Sequence, residues 1–203
     1  MNQAITIVMT GASGSPYGLR LLQVLLEAGE EIYLLISNPG RMVIQSEVGL
    51  SLSSRPSEIR TGIAQYLGVS ANRLHVFGRE DWTAPIASGS NAPRAMVICP
   101  CTSGTLSSIA TGASRTLIER GADVVLKEQR KLILVIRETP FSIIHLENML
   151  TLARAGAVIM PANPGFYNQP KSIADLVDFM VARVLDHLGI DNELMERWAN
   201  QTL

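Results

Sequence analysis

The sequence predicts an α/β fold: a doubly wound, mostly parallel sheet with helices on both faces. Three observations carry that prediction. Short runs rich in Val and Ile recur without polar alternation, as strands buried on both faces do. Most of these runs are followed within two residues by Gly, Pro, Ser or Thr. Between the runs lie segments with helical spacing of apolar residues, and such alternation winds into parallel units with right-handed crossovers. Ligands of these sheets bind at the carboxyl ends of strands, so the residues just after each run are the ones to search.

Residues 5–9 form the first strand, and Gly11-Ala12-Ser13-Gly14-Ser15-Pro16-Tyr17-Gly18 leads from it into an amphipathic helix over 19–28. Glycines there let the backbone approach a ligand, and the free amides and dipole of a helix start favour an anion such as phosphate. Pro16 suits a first-turn position, where its missing N–H is no loss. The spacing is not the dinucleotide G-x-G-x-x-G, nor does it carry the Lys and Ser/Thr of a Walker loop. The second strand, 32–36, ends at Ser37 and precedes a helix over 41–47. Residues 51–90 are the least periodic, with a helix over 57–67 and a tip, Ala87-Ser88-Gly89-Ser90, expected to lie over a site. The third strand, 95–98, runs into Pro100-Cys101-Thr102-Ser103-Gly104-Thr105 and a helix over 105–111. A helix over 116–127 leads to a strand over 132–136 that ends at Arg137-Glu138. A helix over 142–155, a strand over 157–160, the loop from Pro161 to Tyr167 and a helix over 173–188 follow. Residues 191–203, with Trp198, are expected to form a short helix packed on the body or on another subunit.

With 203 residues, 47% hydrophobic content and a formal charge of −1, a single domain over 1–203 is expected, with no nucleic-acid or membrane-surface partner. The chain enters a strand at once, and no apolar stretch reaches the roughly 18 residues that span a bilayer, so a cytoplasmic protein is expected. Cys99 and Cys101 flank Pro100 among apolar residues that offer no further metal ligand, and read as buried free thiols. His75, His145 and His187 are scattered, and no G-x-S-x-G elbow accompanies them, which argues against a hydrolase triad. No H-E-x-x-H, EF-hand or Cys/His cluster supports a metal.

Several residues admit two readings. Thr102 to Thr105 either cap a helix or present amides and hydroxyls to a ligand. Arg137-Glu138, directly after a buried strand, is either a surface ion pair or a phosphate clamp with a general acid or base beside it. Glu47 reads as a solvated helix residue, Lys127 as part of a charged turn, and the Arg183 stem as cover for the core. Tyr167 is a packing or substrate-contacting loop aromatic, and Trp82 a stacking wall or a core anchor.

Together these motifs closely resemble the flavin prenyltransferases, the UbiX family. The resemblance is carried by Thr10-Gly11-Ala12-Ser13-Gly14, Ala87-Ser88-Gly89-Ser90, Pro100-Cys101-Thr102-Ser103-Gly104-Thr105-Leu106-Ser107, Ala122 to Glu128, Arg137-Glu138-Thr139-Pro140 and Pro164-Gly165-Phe166-Tyr167, and runs from about Ile5 to Trp198. It implies a flavodoxin-like, Rossmann-like domain in a homo-oligomer, typically a dodecamer, with active sites at subunit contacts. It further implies metal-independent transfer of a dimethylallyl group from dimethylallyl phosphate to N5 and C6 of reduced FMN, for use by UbiD-type decarboxylases in ubiquinone synthesis or aromatic-acid breakdown. By the same resemblance Gly11, Ala12, Ser13, Ser37, Thr102, Ser103, Gly104, Thr105 and Arg137 hold FMN, with Trp82 near its rings. Lys127, Arg137, Glu138, Tyr167 and Arg183 surround the isoprenyl phosphate, and Ser13, Glu47 and Glu138 manage protons. Ser15-Pro16 and Cys101-Thr102-Ser103-Gly104 depart from the family's commoner wording. Two alternatives stand beside this reading. One is a flavodoxin-like, FMN-dependent cysteine decarboxylase, disfavoured by the 100–105 loop and the lack of a His near a predicted strand end before it. The other is a non-catalytic FMN carrier, disfavoured by Lys127, Glu138 and Arg183.

Overall fold

The computed structural model describes residues 3–196. Among these, six strands form one sheet: β1 (Ile5–Met9), β2 (Ile32–Ile36), β3 (Leu74–Val76), β4 (Ala95–Cys101), β5 (Lys131–Ile136) and β6 (Val158–Pro161). Their order is β3-β2-β1-β4-β5-β6 and every pairing is parallel. Setting aside the three-residue edge strand β3, the order is that of a flavodoxin-like doubly wound sheet, as expected. Sequence reading passes over β3 because Leu74-His75-Val76 is too short to carry a period and only Leu74 is buried.

Among the described residues, seven α-helices cover the sheet: α1 (Ser15–Glu27), α2 (Asn38–Val48), α3 (Pro56–Leu67), α4 (Ser103–Ala110), α5 (Leu117–Lys127), α6 (Ile143–Arg154) and α7 (Ile173–Leu188). Alternate strand residues feed two cores. Ile5, Ile7, Leu34 and Val97 join Leu22 and Leu25 of α1 and Val181 and Leu185 of α7. Val8, Leu35, Met96 and Ile98 join Leu106 of α4, Val125 of α5 and Leu152 of α6. Burial on both faces is why the strand sequences show no polar alternation. Several helices begin earlier than apolar spacing suggests, because polar caps rather than apolar residues set their starts. Ser37 accepts a hydrogen bond from the Gly40 N–H at 3.0 Å at the start of α2, and Thr102 accepts one from the Thr105 N–H at 3.0 Å at the start of α4.

Strand β4 breaks its own alternation. Its register against β5 shifts between Ile98 and Cys101, so that Cys99 enters one core and Cys101 the other. Both thiols are free and buried. Burial pushes the Cys101 thiol up to about 12 and Cys99 higher still, the latter helped by its neighbour Cys101, so neither is a nucleophile.

One expectation gains a second cause here and another is corrected. The glycines after β1 serve the protein's own backbone: a Cβ at Gly18 would lie 2.3 Å from the Cys99 carbonyl oxygen, and one at Gly11 would lie 2.4 Å from the Pro39 Cβ. Close approach of α1 to β4 and of the β1 loop to α2 therefore requires them, with no ligand invoked. Residues 191–196 are not helical, while 197–203, including Trp198, lie outside the described residues.

Candidate functional site

Strands β1 and β4 are neighbours, but the chain leaves them toward opposite faces, to α1 in one core and to α4 in the other. Loops that part this way open a crevice at the strand ends. Here it is a cleft of about 360 Å³. Gly11, Ser37, Thr102, Gly104 and Thr105, all expected at a flavin, line it together with Thr10.

Thr10 holds the two strand ends together. Its buried hydroxyl donates to the Pro100 carbonyl at 2.7 Å and accepts from the Thr102 N–H at 2.9 Å, while its own N–H also donates to Pro100 O at 3.2 Å. Thr102 in turn donates its hydroxyl to Thr105 Oγ1 at 2.9 Å. Of the two readings of this loop, capping is therefore realised, and the cap itself faces the cleft. Ser103 donates to Glu138 Oε2 at 3.2 Å, which ties α4 to the end of β5. Hydrogen bonds from the Thr139 N–H and the Ser103 hydroxyl, with the Arg137 charge nearby, hold the Glu138 carboxyl below its ordinary value. The Arg137 N–H donates to Cys101 O at 3.3 Å, but its buried Nε has no hydrogen-bond partner. A guanidinium nitrogen left so is a donor waiting for an acceptor.

The start of α1 is filled by the protein itself, contrary to the expectation of a phosphate there. Glu47, near the end of α2, reaches across so that the Gly14 N–H donates to both carboxylate oxygens at 3.1 Å. Oε2 also accepts from the Ser15 N–H at 2.8 Å and the Ser15 hydroxyl at 2.7 Å. Partial burial pushes the Glu47 carboxyl up, but the hydroxyls of Ser13 and Ser15 and the two backbone N–H groups outweigh it and hold it below its ordinary value. Ser13 is exposed and meets Glu47, whereas Ala12 is buried.

The residues expected around an isoprenyl phosphate are not gathered in one chain. Ile118, near the start of α5, lines the cleft, and nine residues at 1.5 Å each place Lys127 about 13 Å further along the helix. There Lys127 pairs with Glu128. Arg183 pairs with Asp186 at 2.8 Å on α7, on the other face of the sheet. Tyr167 packs edge-on against Phe179 of the same helix, with ring centroids 5.7 Å apart. Trp82 is 49% exposed in the loop after β3 and does not line the cleft. The 87–90 tip does not overhang the cleft as expected: the Arg120 Nε donates to Ala87 O at 3.0 Å, and Gly89 lies against Lys127 and Glu128. It therefore runs down α5. Sequence reading included Thr10 in its loop but assigned it no role. It missed Arg79 and Glu119 at the cleft rim, which lie in no strand-end motif.

Among the described residues no group of His, Cys, Asp or Glu could hold a metal, and no helix is long and apolar enough to cross a membrane. A protein-family model described as Flavoprotein matches residues 1–185. A flavin prenyltransferase UbiX of Pseudomonas aeruginosa is 55% identical over 99% of this chain and 96% of its own. The structure of AnUbiX (PadA1) in complex with FMN and dimethylallyl pyrophosphate is similar with a TM-score of 0.86 and 39% identity over 100% of both chains. A dodecameric, FMN-dependent UbiX-like decarboxylase from Escherichia coli O157:H7 gives a TM-score of 0.84 and 41% identity, over 97% of this chain and 99% of its own.

Proposed function

The chain belongs to the flavin prenyltransferases of the UbiX type, and from that premise we propose that it binds reduced FMN at the β1–β4 cleft and takes a dimethylallyl group from dimethylallyl phosphate. It is an enzyme, and its product is prenylated FMN. The observation that carries the site assignment is the cleft in which Gly11, Ser37, Thr102, Gly104 and Thr105 meet at the strand ends, with the buried, unpartnered Arg137 Nε at the end of the adjacent strand beside the Ser103–Glu138 pair. The cleft fits a flavin nucleotide: it offers hydroxyls from Ser37, Thr102 and Thr105, and open backbone at Gly104. Reduced FMN, when bound, supplies two electron-rich positions, N5 and C6, for alkylation.

The protein's part is to bind, orient and neutralise. Gly11, Ala12, Ser13, Ser37, Thr102, Ser103, Gly104, Thr105 and Arg137 hold the flavin, and Trp82, which does not line the cleft of its own chain, comes toward the rings from a neighbouring subunit. Lys127, Arg137, Glu138, Tyr167 and Arg183 surround the donor phosphate, whose departure from carbon is favourable only where its charge is met. Cationic side chains in a water-poor site do this without a metal. Glu138, ionised and already hydrogen-bonded to Ser103, positions the phosphate and takes a proton; Ser13 and Glu47 form the second proton-handling pair.

Lys127 and Arg183 lie on opposite faces of one sheet, so they meet one phosphate only if neighbouring subunits contribute them. A homo-oligomer, a dodecamer in this reading, completes the site. Ile143, Leu146 and Leu150, spaced along one side of α6 and at least half exposed, supply apolar surface for such contacts. The recipient of the product is a UbiD-type decarboxylase.

Anaerobic incubation of the FMN-loaded, reduced protein with dimethylallyl phosphate, and separately with the pyrophosphate, followed by mass spectrometry of the released flavin, tests the reading. One added dimethylallyl unit with the monophosphate is expected. Unmodified FMN from both arms refutes transfer and leaves the flavin carrier. Oxidative decarboxylation of a peptide ending in cysteine would instead identify the decarboxylase.

A further inference from the structure

Tyr17, in the first turn of α1, has a part that neither the cleft nor the phosphate residues account for. Its half-buried ring packs on the core and lies over Gly14. A Cβ on Gly14 would come within 2.8 Å of Tyr17 Cδ2, 3.1 Å of Cε2 and 3.9 Å of the Pro100 Cβ. Gly14 has φ 110, a conformation open to glycine and strained for other residues. The Tyr17 N–H closes the turn by donating to the Gly14 carbonyl at 3.0 Å. On the other side of the turn, the N–H groups of Gly14 and Ser15 hold the Glu47 carboxylate, which also takes the Ser13 hydroxyl.

We propose that Tyr17 is a positioning residue for the Ser13–Glu47 pair: its ring fixes the Gly14 turn whose N–H groups orient the Glu47 carboxylate and, through it, the Ser13 hydroxyl. The inference rests on the reading that Ser13 and Glu47 handle protons. Glycine adopts positive and negative φ with similar ease, so a Gly14 freed from the ring turns its N–H away from Glu47 at little cost. Those two hydrogen bonds are exposed, so water takes the place of the Gly14 N–H at Glu47 once the turn is released. The phenol itself is not needed. Burial first, then Cys99 and Glu47, raise its pKa, so it stays neutral, and a phenylalanine ring fills the same place.

The test is a double-mutant cycle in FMN-loaded, oligomeric protein, with prenyl transfer, FMN affinity from flavin fluorescence and thermal midpoint measured for each variant. Tyr17→Leu is expected to lower kcat about tenfold while changing FMN affinity less than twofold, because displacement of reacting groups costs rate steeply. Tyr17→Phe restores kcat to within about twofold of the wild type by keeping the ring. In the Glu47→Gln background Tyr17→Leu has no further effect on kcat, as expected of a residue that acts through Glu47. Gly14→Ala, whose Cβ would push into the Tyr17 ring and whose backbone there is strained for alanine, reproduces the same loss and the same dependence on Glu47. An equal loss from Tyr17→Leu with and without Glu47 overturns the proposal, as does failure of Tyr17→Phe to restore the rate. A silent Glu47→Gln instead overturns the proton-handling role itself, and Tyr17 with it.

Discussion

Two helices, α1 and α4, start at the point where the chain leaves the sheet in opposite directions, and they treat their N-termini differently. The start of α1 is closed by the chain's own anion, Glu47, which takes three hydrogen-bond donors from Gly14 and Ser15. The start of α4 is capped by a neutral side chain, Thr102, and stands beside an arginine with an unused buried donor. A helix N-terminus attracts an anion in either case. The lesson is that the attraction can be spent internally, to fix a turn and a carboxylate, and that a ligand is sought where it is left over.

The largest effect expected from sharpening this contrast lies outside both loops. Lys127→Ala and Arg183→Ala should each reduce use of the isoprenyl phosphate by one to two orders of magnitude while flavin binding holds. Each charge-assisted hydrogen bond lost costs about 1.5–3 kcal/mol, and that cost converts to rate at about 1.4 kcal/mol per factor of ten. Steady-state kinetics at fixed FMN occupancy check this. Wild-type turnover in both variants would remove the neighbour-completed phosphate site.

Thr10→Val breaks the α4 side. The change leaves the Pro100 carbonyl and the Thr102 N–H buried without their side-chain partner, so a loss of about 1–3 kcal/mol in stability and weaker flavin binding are expected. Thr10→Ser should recover most of both, as denaturant unfolding and flavin titration will tell.

Glu47→Gln breaks the α1 side more gently. Replacing the charge at that helix start should cost about 0.3–1 kcal/mol at neutral pH. Because the folded carboxyl titrates below its unfolded value of about 4.3, its contribution is present above that pH and disappears as pH falls through the folded pKa. The thermal midpoints of wild type and variant should therefore converge on acidification below about pH 4. A gap that persists there assigns the effect to shape and not to charge.

The smallest effect separates two orphaned polar atoms. Thr6 Oγ1, fully buried in β1, has no hydrogen-bond partner, as the Arg137 Nε has none. Thr6 sits in the middle of the sheet, away from the strand ends where ligands bind. Thr6→Val should therefore be neutral or stabilise by up to about 1 kcal/mol with flavin affinity unchanged. Arg137→Leu should leave stability nearly unaltered and weaken flavin binding. Equal flavin loss from both changes would erase the distinction.

Most of the fold was legible because its signals are local. Ile5 to Met9 (apart from Thr6), Ile32 to Ile36 and Leu132 to Ile136 carry apolar side chains on both faces, as strands buried within a sheet do. The loops at the strand ends, from Gly11 to Ser13, Thr102 to Thr105 and Arg137 to Glu138, follow from the same pattern. Sequence spacing could not reveal that Glu47 closes the start of α1, since 33 residues separate it from Gly14 and its own helix marks it as solvated. Nor could it reveal that Thr10 reaches across 90 residues to Pro100. Lys127 and Arg183 read as neighbours by chemistry, yet the sheet stands between them. Periodicity reports which face of an element is buried, and so decides strand, helix and the edge where a ligand binds. Which polar groups meet there depends on distances across the fold, and only tertiary packing sets those.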